Sequence, residues 1–351
     1  MQKENINMSC QNFLSYLKTP ISFEDLDEPR NILYHDIFKK FKNSCKNDET
    51  AVIETMKYIA KNISNLDNFK VFVASNVFLE LLDHKNPSSF IIRFSIGMLV
   101  RCLMLTERYL LKMLNYVENN TIMSNAPSEI KAWKAIDYVL EPALIVLSSS
   151  PLAREKLREN PNNKFLIEKI KTYITPLNEI SNLYNLTDNT DFIVLHPKKL
   201  IGFKFKATGI QNNYHLFTLI QAELLKKAND ALKLNAVIDP NAVSIAKGER
   251  KFDIDRKIIV DGFFDFYSYK SYKGELTNPK FDSKHTLSGE YLSDLIPESN
   301  NKKIIIIDSP PKNTLSWDTQ SFKPLNIYTT ANATLTEVIP KDNVIETLKN
   351  I

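Results

Sequence analysis

Glycine is spread very unevenly along this chain. Gly97 is the only glycine before Gly202, and the other six (Gly202, Gly209, Gly248, Gly262, Gly274 and Gly289) then follow in quick succession. A glycine inside a helix costs about 1 kcal/mol relative to alanine, and it suits turns and strand bends. Residues 1–201, with their single glycine, therefore read as packed helices. The remainder reads as a domain that contains strands.

The chain has 351 residues, and single cores seldom grow past roughly 250. Two domains are expected, residues 1–188 and 189–351, divided at the polar connector Thr187–Asp191. Hydrophobic residues at 43% and charged residues at 25% suit a folded globular chain. From Asp191 onward, 22 Lys/Arg face 19 Asp/Glu, a balance of +3 that leaves +1 of the total +4 for the preceding residues. Neither half is basic enough to indicate nucleic acid. Lys198, Lys199, Lys204 and Lys206 form an acid-free stripe, read as a solvated strand edge.

Cys10, Cys45 and Cys102 are odd in number, lie far apart in sequence and lack metal-ligand spacing. They read as reduced thiols in a reducing compartment. The start carries no apolar run of signal-peptide type. The most apolar stretch, Phe90 to Leu105, contains Arg93 and Arg101 and reads as too short to span a bilayer. These features predict a cytoplasmic protein with no membrane partner.

Residues 9–18 and 30–43 read as short helices, and Asp48 with Glu49 opens a third. A pattern then recurs. The helix ending at Asn62 and Ile63 is followed by a polar turn, a short segment from Phe69, an interruption at Asn76, and Val77 to Leu82. A clearer copy runs from Leu147 through Ser148–Pro151 and Arg154, breaks at Asn160–Asn163, and resumes at Phe165 to Ile170. Aligning the copies places Ile63, Cys102 and Leu147 at one point, 39 and 45 residues apart. This is the period of a two- or three-helix solenoid repeat, in which each unit covers its neighbour's apolar face.

Over residues 30–185 the pattern resembles armadillo/HEAT-type repeats, through Asn62 with Ile63, Asn68, Leu79 to Leu82, and the Leu147–Pro151 turn with Arg154. The usual glycine between the short helices is replaced by Asn76 and Asn163, and asparagine tolerates the left-handed conformation. Where armadillo proteins grip an extended peptide with asparagine, only Asn62 remains, and Arg101 and Val146 hold the other two positions. The resemblance thus implies a protein-binding surface broader than an asparagine ladder.

Beyond the connector, Phe192–Leu195 and Leu200–Lys206 read as strands, with Gly209 ending the second. Asn212 or Asn213 caps a helix from Tyr214 to Leu234. Ile258–Tyr269 reads as a strand, residues 271–302 as a long polar loop, and Ile304–Ile307 as a buried strand stopped by Asp308 and the turn Ser309–Pro311. Leu335–Ile339 reads as a last strand, and Asp342 as the cap of a terminal helix. The fold class is α + α/β: an N-terminal armadillo-like α-solenoid followed by a smaller mixed α/β domain.

Phosphate-binding glycine loops, nucleophile elbows and paired-cysteine or His-Glu-x-x-His metal motifs are absent from the sequence, and no cofactor is implied. Asp308, at the end of a buried strand, is where α/β folds present a base or metal ligand, and it is equally a favoured turn residue. His196 at a strand end and His215 in the first turn of a helix are weaker catalytic candidates, with packing as the alternative. Asp253, Asp255 and Asp261 beside Arg250 and Arg256 read as paired surface charges, with a metal site as the alternative. Trp317, in a polar loop, reads either as an interface anchor or as a side chain folded onto its own domain. The expected function is an intracellular protein-binding adaptor or scaffold that uses Asn62, Arg101 and Trp317. The alternatives are an enzyme with its site near Asp308 and a structural subunit of a larger complex.

Overall fold

The computed structural model describes residues 2–22, 24–82, 86–119, 127–234, 236–250, 257–300, 302–308, 316–322, 325 and 328–351. The chain divides into two compact units, Met1–Tyr184 and Asn185–Ile351. The division falls four residues ahead of the boundary expected from the sequence, because Thr187 already pairs with Ile210 of the second unit.

The first unit is helical: α1 (Gln2–Lys18), α2 (Pro29–Leu33), α3 (Asp36–Cys45), α4 (Glu49–Asn62), α5 (Asn68–Leu81), α6 (Ser89–Asn119), α7 (Pro127–Ser149), α8 (Pro151–Arg158), α9 (Asn162–Ile170) and α10 (Leu177–Tyr184). Four of its helix starts, at α3, α4, α5 and α8, carry polar caps that satisfy orphan N–H groups of a first turn. The Asp48 carboxylate accepts from Ala51 N at 2.9 Å, and the Ser150 hydroxyl accepts from Ala153 N at 3.3 Å, with Pro151 at the first helical position. Phe13 of α1 stacks on Phe41 of α3 at 4.2 Å and meets Phe38 edge-on at 5.0 Å. Helix α5 is the central element: Phe69, Val71, Phe72, Val73 and Ala74 are all fully buried, as expected of a helix apolar all round.

Three readings of this half need correction. The repeat alignment puts a helix end at Cys102, yet α6 runs on to Asn119. Asn76 lies inside the unbroken α5 and Asn163 inside α9, so neither supplies a left-handed turn. The apolar stretch is longer than Phe90–Leu105: Ser89–Met113, with mean hydropathy 1.6, is long and apolar enough to cross a membrane, and half of it is buried inside the fold.

The second unit is built on a mixed sheet. Its elements are β1 (Thr190–His196), β2 (Ile201–Thr208), α11 (Asn213–Lys227), α12 (Asn229–Leu232), α13 (Pro240–Ala246), β3 (Ile259–Asp261), β4 (Asp265–Ser268), β5 (Tyr272–Glu275), β6 (Asn278–Phe281), β7 (Glu298–Ser299), β8 (Lys302–Asp308), β9 (Ser316–Asp318), β10 (Asn332–Ile339) and α14 (Lys341–Lys349). The strand order is β10-β2-β1-β8-β4, with β7 also paired to β8. Strands β1 and β8 are parallel, and the other neighbours are antiparallel.

Side-chain alternation sorts the sheet into two faces. Phe192, Val194, Phe203, Phe205, Ile305 and Ile307 pack with α11 and α13. Ile193, Leu195, Ile304 and Ile306 pack with Val344 and Leu348 of α14. A side chain at Gly202 would run into Leu195, Val344 and Ile339, so glycine there lets α14 lie close. Gly209, at φ +70, closes β2 against the Thr330 carbonyl, where no other residue fits without strain.

Here too the sequence readings shift. Strand β2 lies between β1 and β10, so Lys204 and Lys206 line the wet face of an interior strand and not a sheet edge. Residues 271–302 hold the β5–β6 hairpin, a turn at Ser293–Leu295 and β7, instead of one long loop. The stretch Ile258–Tyr269 splits into β3, which pairs with β9, and β4. Pro340 is the N-cap residue of α14, with Asp342 in its first turn.

Candidate functional site

The parallel pair β1/β8 ends at one edge of the sheet, at His196 and Asp308, and β4 begins there at Asp265. Asp265 and Asp308 sit directly opposite each other, so their side chains share a face. Lys198, in the turn between β1 and β2, reaches Asp308 Oδ2 at 2.6 Å and lies 5.5 Å from the centre of the Phe281 ring. Tyr267 donates its hydroxyl to Asp265 Oδ2 at 3.3 Å and stacks on Phe281 at 5.5 Å. Two carboxylates, an ammonium and a phenol thus meet at the carboxyl end of a parallel strand pair, the usual ligand position in open α/β sheets.

The electrostatics fit a crowded acidic edge. Burial and then the charge of Asp308 raise the Asp265 carboxyl, against the Tyr267 hydrogen bond and Lys198. Burial and the two aspartates push Tyr267 up to about 12. Asp265 is therefore poised to hold a proton more readily than an ordinary aspartate, the property asked of a general acid.

The structure does not gather the three catalytic candidates into one place. His196 shares the edge with Asp308, but its ring lies on the face of Phe192 and Val194 and meets Phe264 edge-on at 6.1 Å. Burial, reinforced by Lys199 and Lys198 and opposed by Asp308, lowers it to about 4. His215 is in the core, stacked on Phe322 at 4.9 Å, and burial alone lowers it to about 3. Trp317 is also a core residue and not an exposed anchor: it is 7% exposed, and its indole N–H donates to Thr218 at 3.0 Å. Among the described residues no three His, Cys, Asp or Glu side chains cluster to hold a metal. Asp253, Asp255 and Arg256, the turn Ser309–Pro311 and the loop from Asn313 to Leu315 lie outside the described residues.

In the helical unit the three expected peptide-gripping positions make local contacts. The Asn62 amide donates to Tyr58 O of its own helix at 2.9 Å. Arg101 holds Asn68 Oδ1 through two nitrogens at 3.2 and 3.1 Å. Val146 is buried against a small core cavity of about 20 Å³. Several large apolar side chains of this unit are exposed, among them Met8, Tyr34, Leu152 and Tyr173, and three more lie on α6 and α9. Met104 and Leu111 on α6, and Phe165 on α9, are 44%, 43% and 62% exposed. Glu107 sits on the α6 face between the first two and pairs with Lys169 of α9 at 2.8 Å. The Lys169 ammonium in turn lies 5.5 Å from the Phe165 ring centre.

Compared with family models, curated proteins and solved structures, the chain matches none. The armadillo/HEAT resemblance therefore rests on the chain's own residues.

Asp265, Tyr267 and the α6/α9 face all escaped the sequence reading. Alternation in Asp265–Ser268 does show which residues share a face, but the partner strand is set by a register across 43 positions of chain. The i, i+3, i+7 placement of Met104, Glu107 and Leu111 was readable as a helix face. That the fold leaves this face uncovered was not.

Proposed function

We propose that the protein is an intracellular protein-binding adaptor, with an armadillo/HEAT-type helical unit that docks its partner on the α6/α9 face. The observation that carries this reading is the apolar surface of Met104, Leu111 and Phe165 around the Glu107–Lys169 pair. An apolar patch with a charged pair inside it favours a protein partner that brings its own apolar side chains. The repeat architecture draws support from the α8–α9 pair after the Ser150 turn, where the chain bends by 115°. A Met104→Asp, Leu111→Asp, Phe165→Asp variant of the full chain should lose stoichiometric partners in a pull-down from the native host. Its helical circular dichroism should stay unchanged, since exposed sites change stability little. Partners retained at wild-type stoichiometry would sink the reading. A concentration-dependent dimer abolished by the same variant would replace the partner with a second copy of the chain.

The Asp265–Asp308 pair favours a second reading, in which the sheet unit carries an acid–base site for a small molecule. Stability of Asp265→Asn tests it: a residue kept for chemistry should cost the fold something, so its neutralisation should stabilise. A loss of stability would mark the pair as structural.

A further inference from the structure

We infer that Cys10 and Cys45 form a peroxide-oxidisable dithiol that links α1 to the end of α3. The cysteines are 35 positions apart in sequence, yet their sulfurs stand 3.8 Å apart. Cys10 is partly exposed and lines a cleft of about 540 Å³ with Asn7, Leu14, Asp48, Ala51 and Thr55. Cys45 is fully buried behind it. A reagent entering the cleft therefore meets Cys10 first, and the sulfenic acid it leaves has a second thiol at contact distance. A hydrogen bond from Cys45 favours the Cys10 thiolate, with help from Thr55 and against burial and the charge of Asp48. The same contact and burial hold Cys45 as the thiol. Cys102 is an internal control: it is fully buried, donates to Ala132 O at 3.5 Å, and its thiol is pushed up by burial.

The chemistry uses one hydroperoxide and transfers two electrons. The Cys10 thiolate attacks the peroxide oxygen; an S–O bond forms, the O–O bond breaks, and hydroxide leaves and takes a proton to become water. Cys45 Sγ then attacks Cys10 Sγ; the S–S bond forms, the S–O bond breaks, and a second water leaves with the Cys45 proton. Two thiols and one hydrogen peroxide become one disulfide and two waters. A dithiol reductant reverses the link by exchange.

The test treats the full chain with stoichiometric hydrogen peroxide at neutral pH. Expected are a mass loss of two hydrogens, a Cys10–Cys45 linked peptide after non-reducing digestion, and Cys102 still open to alkylation on unfolding. Cys45→Ser should leave a sulfenic acid at Cys10 that dimedone captures. Cys10→Ser should slow peroxide consumption at least about tenfold, since only the thiolate reacts quickly. The inference is overturned if wild type accumulates sulfinic acid at Cys10 with Cys45 still alkylatable. It is equally overturned if the link involves Cys102 or a second chain, or if no thiol is lost. The wild-type peptide map decides the matter even if a variant folds poorly.

Discussion

Both units bury cations against backbone carbonyls, but among the described residues only the sheet unit also buries histidines. The helical unit sets its buried cations against helix-end carbonyls, although burial lowers Lys70. Lys70 is 3% exposed and donates to the Tyr16 carbonyl at 3.3 Å and the Thr19 carbonyl at 3.0 Å, at the end of α1. Arg154 is 1% exposed and donates to the carbonyls of Leu147 at 2.6 Å and Ser148 at 3.2 Å, at the end of α7. The sheet unit holds Lys303 in the same way, through the Ile296 carbonyl at 3.4 Å, and also buries His196 and His215, which burial drives towards the neutral form. The difference lies in what surrounds each group. A helix end leaves carbonyls without partners and carries the negative pole of the helix dipole, so a cation buried there finds acceptors ready. The His196 and His215 rings lie against aromatic side chains, Phe264 and Phe322, and burial there favours the neutral imidazole.

The largest consequence is a pH dependence of the sheet unit above the carboxylate range. Both histidines titrate below the ordinary 6.5 when folded, at about 4 and about 3. Between those values and about 6.5 the unfolded chain binds more protons, so stability rises with pH. Their contribution is complete above pH 6.5 and drains away as pH falls towards the folded values. At pH 4.5 each histidine should have cost the sheet unit about 2–3 kcal/mol relative to pH 7. The two tryptophans separate the units, because Trp133 packs against Tyr109 in the helical unit and Trp317 sits in the sheet core. Denaturant unfolding of single-tryptophan variants should show the Trp317 transition weakening over this range while the Trp133 transition holds. Coincident loss in both would break the comparison.

The converse perturbation is Arg154→Met, which keeps an apolar stem and removes the guanidinium. It leaves buried carbonyls of α7 without their charged donor, a loss of about 3 kcal/mol. The effect belongs to the Trp133 transition alone. An equal shift at Trp317 would mean that the units do not unfold separately. No shift at Trp133 would mean that those carbonyls find water.

These contrasts show what was legible in the sequence. Glycine content divided helix from sheet because backbone freedom acts locally, residue by residue. Asp48, Ser150 and Asn212 were readable as caps because a cap needs only its own next turn. The run Ile304–Ile307 was readable as a strand buried on both faces. Arg154 was noticed as part of a turn, but its burial under α7 was not, since lone arginines are almost always exposed. Long-range pairing was silent. Nothing near Cys10 points to Cys45, and Trp317 could be placed in the core only once Thr218 was seen to satisfy its N–H. The false helix end at Cys102 came from reading spacing without a stop signal, since neither glycine nor proline follows it before Asn119.

The smallest predicted effect bears most directly on the sheet-edge site. Asp265 faces Asp308 across β4 and β8, and like charges directly opposite one another destabilise a sheet. Asp265→Asn removes that repulsion and lets the amide oxygen go on accepting from Tyr267, so it should stabilise the Trp317 transition by about 0.5 kcal/mol at pH 7. The gain should shrink as pH falls, because the raised carboxyl of Asp265 takes up its proton in the wild type first and erases the difference. Asp308→Asn relieves the same repulsion but strips Lys198 of its partner, an exposed pair worth little, so its change should be closer to zero. A gain at Asp265 that exceeds the change at Asp308 and vanishes in acid would identify a carboxylate held against the interest of the fold. That is the signature of a residue retained for chemistry at the strand ends. A loss at both positions would assign the pair to the framework and leave the α6/α9 face as the chain's functional surface.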